Sequence, residues 1–301
     1  MSYTVKVKEE ILNKEETTTE KIAKLAGFIK NNGLQKEEGL VLATENKQIK
    51  DRIKEEILSL MDINIVEKET AGNNFSKKSL YMLEIVDYEV LLKTLGLLNR
   101  DVVEEYIVDS NAEIRAYIRG AFLASGSVND PKTSRYHMEI VVNQKEEAVF
   151  LQKLINIFML NAKILNRDKG YMIYLKDAEA ISDFLKILGA NNAVMYYEDI
   201  RIYRDKMNRT NRLNNCEQAN TDKIVNAALE ELKCIEKLEE NMALDLLDEK
   251  VQEAAIYRKK YPESSLKELS EIISLETNKK ITKSGLYHRF RKIKDLANKF
   301  E

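Results

Sequence analysis

Leu25-Ala26-Gly27-Phe28-Ile29-Lys30-Asn31-Asn32-Gly33 and Ile118-Arg119-Gly120-Ala121-Phe122-Leu123-Ala124-Ser125-Gly126 share one pattern, with glycine third and ninth. A capping box precedes each, Thr17-Thr18-Thr19-Glu20 and Ser110-Asn111-Ala112-Glu113, in which a hydroxyl and a carboxylate satisfy the orphan amides of a helix start. Apolar residues then recur at helical spacing, Ile22, Leu25, Ala26 and Ile29 in the first copy, Ile114, Ile118, Ala121 and Phe122 in the second. Each stretch therefore reads as a helix that ends at its second glycine.

The elements downstream of each helix also repeat. In the first copy Leu40 to Thr44 reads as a strand, Lys47 to Met61 as a helix, Asn64 to Glu69 and Leu80 to Ile85 as a strand pair, and Asp87 to Leu95 as a helix closed by Gly96. The second copy gives a strand over Tyr136 to Val142, a helix over Glu146 to Leu160, strands over Ala162 to Leu165 and Met172 to Leu175, and a helix over Asp177 to Leu188 closed by Gly189. The offset is 93 residues from Gly27 to Gly120 and again 93 from Gly96 to Gly189. The expected fold class is α+β: a tandem pseudo-twofold repeat of αββ-type units with mixed sheets, over residues 1–195, the repeats spanning about 17–96 and 110–189. Glycine and alanine let backbones approach closely, which makes the two glycine-bearing helices the expected seam.

A length of 301 residues suits two domains, and 44% hydrophobic with 33% charged residues is enough to fill a core and cover it. The longest apolar stretches are interrupted by Lys93 and by Gln152 and Lys153, so no membrane span is expected. The first twenty residues lack a signal-peptide pattern, leaving the cytoplasm as the expected compartment. Two cysteines, Cys216 and Cys234, and two histidines, His137 and His288, are too few for a disulfide framework or a four-ligand zinc site. No metal or other cofactor is expected.

LAGFIKNNG resembles the LAGLIDADG motif of homing endonucleases, and IRGAFLASG resembles a degenerate second copy. The resemblance covers roughly Thr17 to Ala190 and implies the saddle-shaped two-motif form of that family. In that family an acidic residue at the eighth motif position of each copy holds a divalent metal that activates water. Asn32 and Ser125 stand there instead, and neither is an anionic ligand for Mg²⁺. Glu37, Glu38 and Asp130 fall beyond the helix ends. The expected catalytic set is therefore empty.

Beyond Asn192 the pattern changes to helices without strands. Arg201 to Arg212 carries Arg201, Arg204, Lys206, Arg209 and Arg212, interleaved with amides that continue to Asn220. This mixture suits phosphate and base-edge contacts, and suits equally the satisfaction of buried backbone at a domain junction. Thr221 to Asn241 reads as an acidic connector helix, which makes 196–243 a linking segment. Residues 244–301 read as three helices: Leu244 to Tyr261, a capped helix from Ser265 to Ser274, and a last helix from about Thr282 to Asn298. The net charge of −2 conceals their contrast, for Glu230 to Glu253 holds nine acids against three bases, and Lys279 to Lys299 eight bases against Asp295. On the last helix Leu286, Phe290, Ile293 and Ala297 form the core stripe. Its other faces offer Lys283, Ser284, Tyr287, His288, Arg289, Arg291 and Lys292 to DNA, with Arg204, Arg209 and Arg212 as further candidates. This is a helix-turn-helix pattern whose connection, Leu275 to Ile281, is longer than the simplest turn.

A degenerate two-copy LAGLIDADG domain joined to such a unit resembles the WhiA family of bacterial DNA-binding regulators of sporulation and cell division. The match rests on Arg119 to Val128 with Asp130-Pro131, Tyr136-His137-Met138-Glu139, Asn211-Arg212 with Asn215-Cys216-Glu217, Ser265 to Leu269, and Lys283-Ser284-Gly285 with His288-Arg289. The resemblance implies a non-enzymatic, nucleoid-associated regulator of transcription linked to cell division, chromosome segregation or sporulation. Its implied partners are double-stranded DNA and other transcription or cell-division proteins, with no membrane. Two other classes stay open on the sequence, an active metal-dependent endonuclease and an interaction scaffold with incidental DNA binding.

Overall fold

The computed structural model describes residues 2–36, 39–70, 79–98, 103–133 and 135–300, so Glu37 and Glu38 lie outside the described residues. The chain divides into two compact units, Met1–Arg204 and Asp205–Glu301.

The first unit opens with α1 (Tyr3–Leu12), which the periodicity did not single out, and continues with α2 (Thr18–Asn32), β1 (Leu34–Lys36), β2 (Gly39–Thr44), α3 (Lys47–Leu60), β3 (Ile65–Thr70), β4 (Leu80–Ile85) and α4 (Tyr88–Thr94). The same order returns as α5 (Asn111–Ser125), β5 (Gly126–Val128), β6 (Met138–Val142), α6 (Lys145–Ile157), β7 (Lys163–Arg167), β8 (Gly170–Leu175) and α7 (Ala178–Leu188). Both capping boxes form: Glu20 and Glu113 accept from the amides of Thr17 and Ser110, at 2.9 Å each, while the two hydroxyls cap the third helical amide. Gly33 and Gly126 end their helices in extended backbone because a short strand, β1 or β5, starts at once.

The sheets have strand orders β1-β2-β4-β3 and β5-β6-β8-β7, and every pairing is antiparallel. This corrects the expectation of mixed sheets. The helical crossover does leave β2 and β3 pointing the same way, but β4, the hairpin partner of β3, inserts between them. The register sets Leu40, Ile85 and Ile65 abreast and Ile140, Ile173 and Ile164 abreast, on the faces that the helices cover. In β6 the burial alternates with the pleat, Met138, Ile140 and Val142 inward, Glu139 and Val141 half-exposed.

Helix α8 (Asn191–Glu240) carries the division between the units, and the acidic stretch read as a separate connector belongs to it. In the second unit α9 (Glu249–Lys260) follows a single helical turn at Leu244–Leu246, and is capped by Asp248, which accepts from the Val251 amide at 3.1 Å. Then come α10 (Leu266–Thr277) and α11 (Lys283–Ala297). Their core joins Ile235 and Leu238 of α8 to Val251, Ala254, Leu269, Ile273, Leu286, Phe290 and Ile293. The long turn expected over Leu275 to Ile281 is corrected: α10 continues through Thr277 and ends with Asn278 in the left-handed conformation, φ 53°. Leu275 is helical yet 79% exposed, so it breaks the apolar periodicity without breaking the helix.

Candidate nucleic-acid interface

The turn between α10 and α11 is pinned by one side chain, because the Ile281 amide donates to the Ser274 hydroxyl at 3.0 Å. Thr282 then caps α11, accepting from the Gly285 amide at 3.1 Å. The first two turns of α11 thus stand on a fixed base. Leu286, Phe290, Ile293 and Ala297 face the core. At 100° per residue, Lys283, Ser284, Tyr287, His288 and Arg291 fall within one other half of the helix, and all five are exposed. None of the five makes a hydrogen bond or ion pair among the described residues; the Tyr287 and His288 rings meet edge-on with centroids 5.8 Å apart.

Arg289 and Lys292 sit elsewhere. Arg289 is half-buried and donates to the Lys250 carbonyl at 3.1 Å and to Glu253 at 3.3 Å, while Lys292 reaches Asp248 at 3.0 Å. Both therefore turn toward α9. Lys294 likewise holds Glu230 at 2.9 Å. The basic run thus divides into a half that balances acids of its own unit and a half left outward.

Of the three DNA-contact candidates on α8, Arg204 satisfies backbone, donating to the Pro131 carbonyl at 2.7 Å and the Thr133 carbonyl at 2.5 Å while its guanidinium lies 4.6 Å from the Tyr136 ring centroid. Arg209 and Arg212 are exposed.

The nuclease-like seam is built by α2 against α5. A Cβ on Gly120 would stand 1.9 Å from the Lys24 carbonyl oxygen, and one on Gly27 2.2 Å from that of Tyr117. Only glycine allows this approach. Beside it lies a buried quartet, Glu16, Lys24, Glu56 and Arg119: Lys24 pairs with Glu56 at 2.7 Å and with Glu16, which Arg119 also holds. At the helix ends Asn32 is consumed by β2, giving its amide to the Ala43 carbonyl at 2.7 Å and accepting from the Ala43 amide at 2.8 Å. Ser125 leans back to the Ala121 carbonyl at 3.5 Å. Asp130 accepts from the Lys132 amide at 2.9 Å and the Tyr196 hydroxyl at 3.2 Å. These neutral or occupied groups do not fit the divalent metal that the LAGLIDADG fold implies.

The sheet faces turned away from the helices, which would be the concave surface of a saddle, carry Val41, Val66, Met82 and Glu84 in one repeat and Glu139, Val141, Leu165 and Met172 in the other. Lys68 pairs with Glu84, and Arg167 with Glu139 at 2.9 Å, while the register also places Lys36 on the first of these faces and Lys163 on the second. Nothing in the periodicity distinguished one further group, Glu147. It is 3% exposed, accepts from the Tyr117 hydroxyl at 2.9 Å and the Asn31 amide at 3.2 Å, and has its carboxyl pushed up to about 7 by burial.

The model of the WhiA LAGLIDADG-like domain matches residues 114–207, and that of the WhiA C-terminal HTH domain matches 210–297. The chain is 38% identical to the probable cell division protein WhiA of Bacillus cereus (strain B4264) over 309 aligned positions, covering 99% of this chain and 97% of the relative. The same figures hold for the Bacillus anthracis (strain CDC 684 / NRRL 3495) relative. The crystal structure of full-length WhiA from Thermatoga maritima superposes with a TM-score of 0.60 at 24% identity, covering 100% of this chain and 99% of that one. Among the described residues no helix is long and apolar enough to cross a membrane.

Proposed function

The chain belongs to the WhiA family, and on that premise we propose that it is a DNA-binding regulator of transcription linked to cell division, chromosome segregation or sporulation, working in the cytoplasm at the nucleoid. Residues 244–301 carry the DNA contact, 196–243 link, and 1–195 are a scaffold that has lost nuclease chemistry. One observation supports this reading above the others: five side chains able to meet phosphate or base edges share one outward face of α11, none of them hydrogen-bonded or ion-paired among the described residues. Lys283, Ser284 and Tyr287, in the first turns, address base edges, and His288 and Arg291 the backbone. Arg289 and Lys292 act by holding α11 on α9. Arg209 and Arg212 are auxiliary phosphate contacts, and Arg204 is structural.

The test uses the full chain and DNA that it selects from a random pool. Combined replacement of Lys283, Tyr287 and Arg291 by alanine abolishes selective retardation, whereas replacement of Lys163 and Arg167, on the second sheet, leaves it intact. The reverse result would transfer recognition to the saddle.

A further inference from the structure

The last turn of α5 leaves carbonyls without an intrahelical partner, and one of them, that of Leu123, accepts from the Lys8 side chain of α1 at 3.0 Å. The same nitrogen lies 5.8 Å from the Phe122 ring centroid. Helix α1 is fixed beside it, because the Thr4 hydroxyl donates to the Val128 carbonyl at 2.8 Å and accepts from the Val128 amide at 3.0 Å. Lys8 is half-buried and lines a cavity of about 560 Å³. Ile49, Leu80 and Ala124 give this cavity an apolar wall, and Glu45 and Lys47, both exposed, flank the Asn46 cap of α3 at its rim. Burial pulls Lys8 from the ordinary 10.5 down to about 8, against the opposing pull of the Glu45 carboxylate. The other ionisable groups around the cavity are Lys47 of α3 and Tyr81 of β4, whereas α5 presents the Phe122 ring and the Leu123 carbonyl. At about pH 7.5 roughly a quarter of the Lys8 side chains are then free amines, against about one in a thousand for an ordinary lysine. A free amine still donates to Leu123 and has a lone pair to offer to whatever enters the cavity.

We propose that Lys8 is a site of covalent acylation by a small acyl phosphate admitted to this cavity. The Lys8 nitrogen attacks the acyl carbonyl carbon, an N–C bond forms, and the C–O bond to phosphate breaks with its electron pair. Of the three hydrogens of the starting ammonium, one stays on the amide nitrogen, one leaves on the phosphate and one goes to water. The retained N–H keeps the bond to the Leu123 carbonyl. The product is neutral, which its half-buried place favours, and the acyl methyl packs on Ile49, Leu80 and Ala124. A carbamate from carbon dioxide would instead set an anion beside Glu45. The site lies in the first unit and uses no part of α11, so its failure would leave the DNA-reading face untouched.

The probe is acetyl phosphate, incubated with the full chain and followed by mass spectrometry of its peptides, so that each lysine gives its own initial rate. Lys163 and Lys267, both exposed, serve as internal references. At about pH 7.5 Lys8 is acetylated at least about tenfold faster than either, because a ~200-fold larger amine fraction outweighs the ~tenfold weaker nucleophilicity of a less basic group, taking the slope found for thiols. Its rate levels off above about pH 8.5, while the references keep climbing to about pH 9.5. Unfolding in guanidinium chloride removes the advantage, since the sequence around Lys8 does not supply it. The wild-type chain carries the whole test, and no variant has to fold. Three results would overturn the site: a Lys8 rate no higher than that of the references, a Lys8 rate that climbs with pH as theirs do, or an advantage that survives unfolding.

Discussion

Gly120 is the position where a single methyl group does most damage. Its Cβ would lie 1.9 Å from a backbone oxygen rather than from a side chain that could rotate away, so α2 and α5 must separate along their whole contact. Gly120→Ala is expected to lower unfolding free energy by about 3 kcal/mol or more, read as a reduced midpoint in urea, although alanine is the better helix former. Glu147 makes the opposite kind of prediction. Burial raises its carboxyl from the ordinary 4.5 to about 7, so the folded protein binds a proton there that the unfolded chain has released. The stabilisation present below pH 4.5 is therefore lost as pH climbs through about 7. Glu147→Gln removes that loss, and its stability relative to wild type should rise by ~2 kcal/mol between pH 5 and pH 8. Parallel denaturation curves at the two pH values would refute this.

At the scale of the element, α11 separates residues that look alike in sequence. Arg289 and Arg291 are two positions apart, yet one ties the helix to α9 and the other points out. Arg291→Ala should cost about 1 to 3 kcal/mol of DNA affinity with an unchanged melting temperature, and Arg289→Ala should lower the melting temperature first. Fluorescence anisotropy beside thermal melts distinguishes them. The helices were legible because their signals are local: the boxes at Thr17, Ser110 and Ser265 all form, and the core stripe Leu286, Phe290, Ile293 and Ala297 is buried as its spacing indicates. Three-residue strands leave no such mark, and Leu34-Gln35-Lys36, exposed throughout, has no alternation to read. Arg204 was ambiguous in sequence because its carbonyl partners lie more than seventy residues back along the chain. Glu147 was invisible for a similar reason, since Tyr117 lies a helix and two strands back in its own repeat and only the pairing of the two repeats brings Asn31 to it.

For the whole molecule, the inherited scaffold and the appended helices predict different responses to ions. With roughly four to six phosphate contacts from α11 and the α8 arginines, at a log–log slope near −0.9 for each, DNA affinity should fall by about 10²- to 10³-fold between ~50 and ~200 mM salt. A flat titration in that range would argue against phosphate neutralisation. Mg²⁺ or Mn²⁺ should elicit no nicking of supercoiled plasmid, because Asn32 and Ser125 offer no anion to a metal. Nicking that copurifies with the chain and vanishes in a seam variant would show otherwise. The pairing of α2 with α5 also imposes a timetable on the ribosome. Lys24, Gly27 and Phe28, which meet Gly120, Tyr117 and Ala121 across the seam, are complete long before Gly120, and their partner helix begins to emerge about 93 residues later. At bacterial rates of about 5 to 20 residues per second the nascent first repeat waits roughly 5 to 20 s with that seam uncovered. It is during this interval, rather than in the finished protein, that the chain is most open to capture by chaperones or by a second nascent copy.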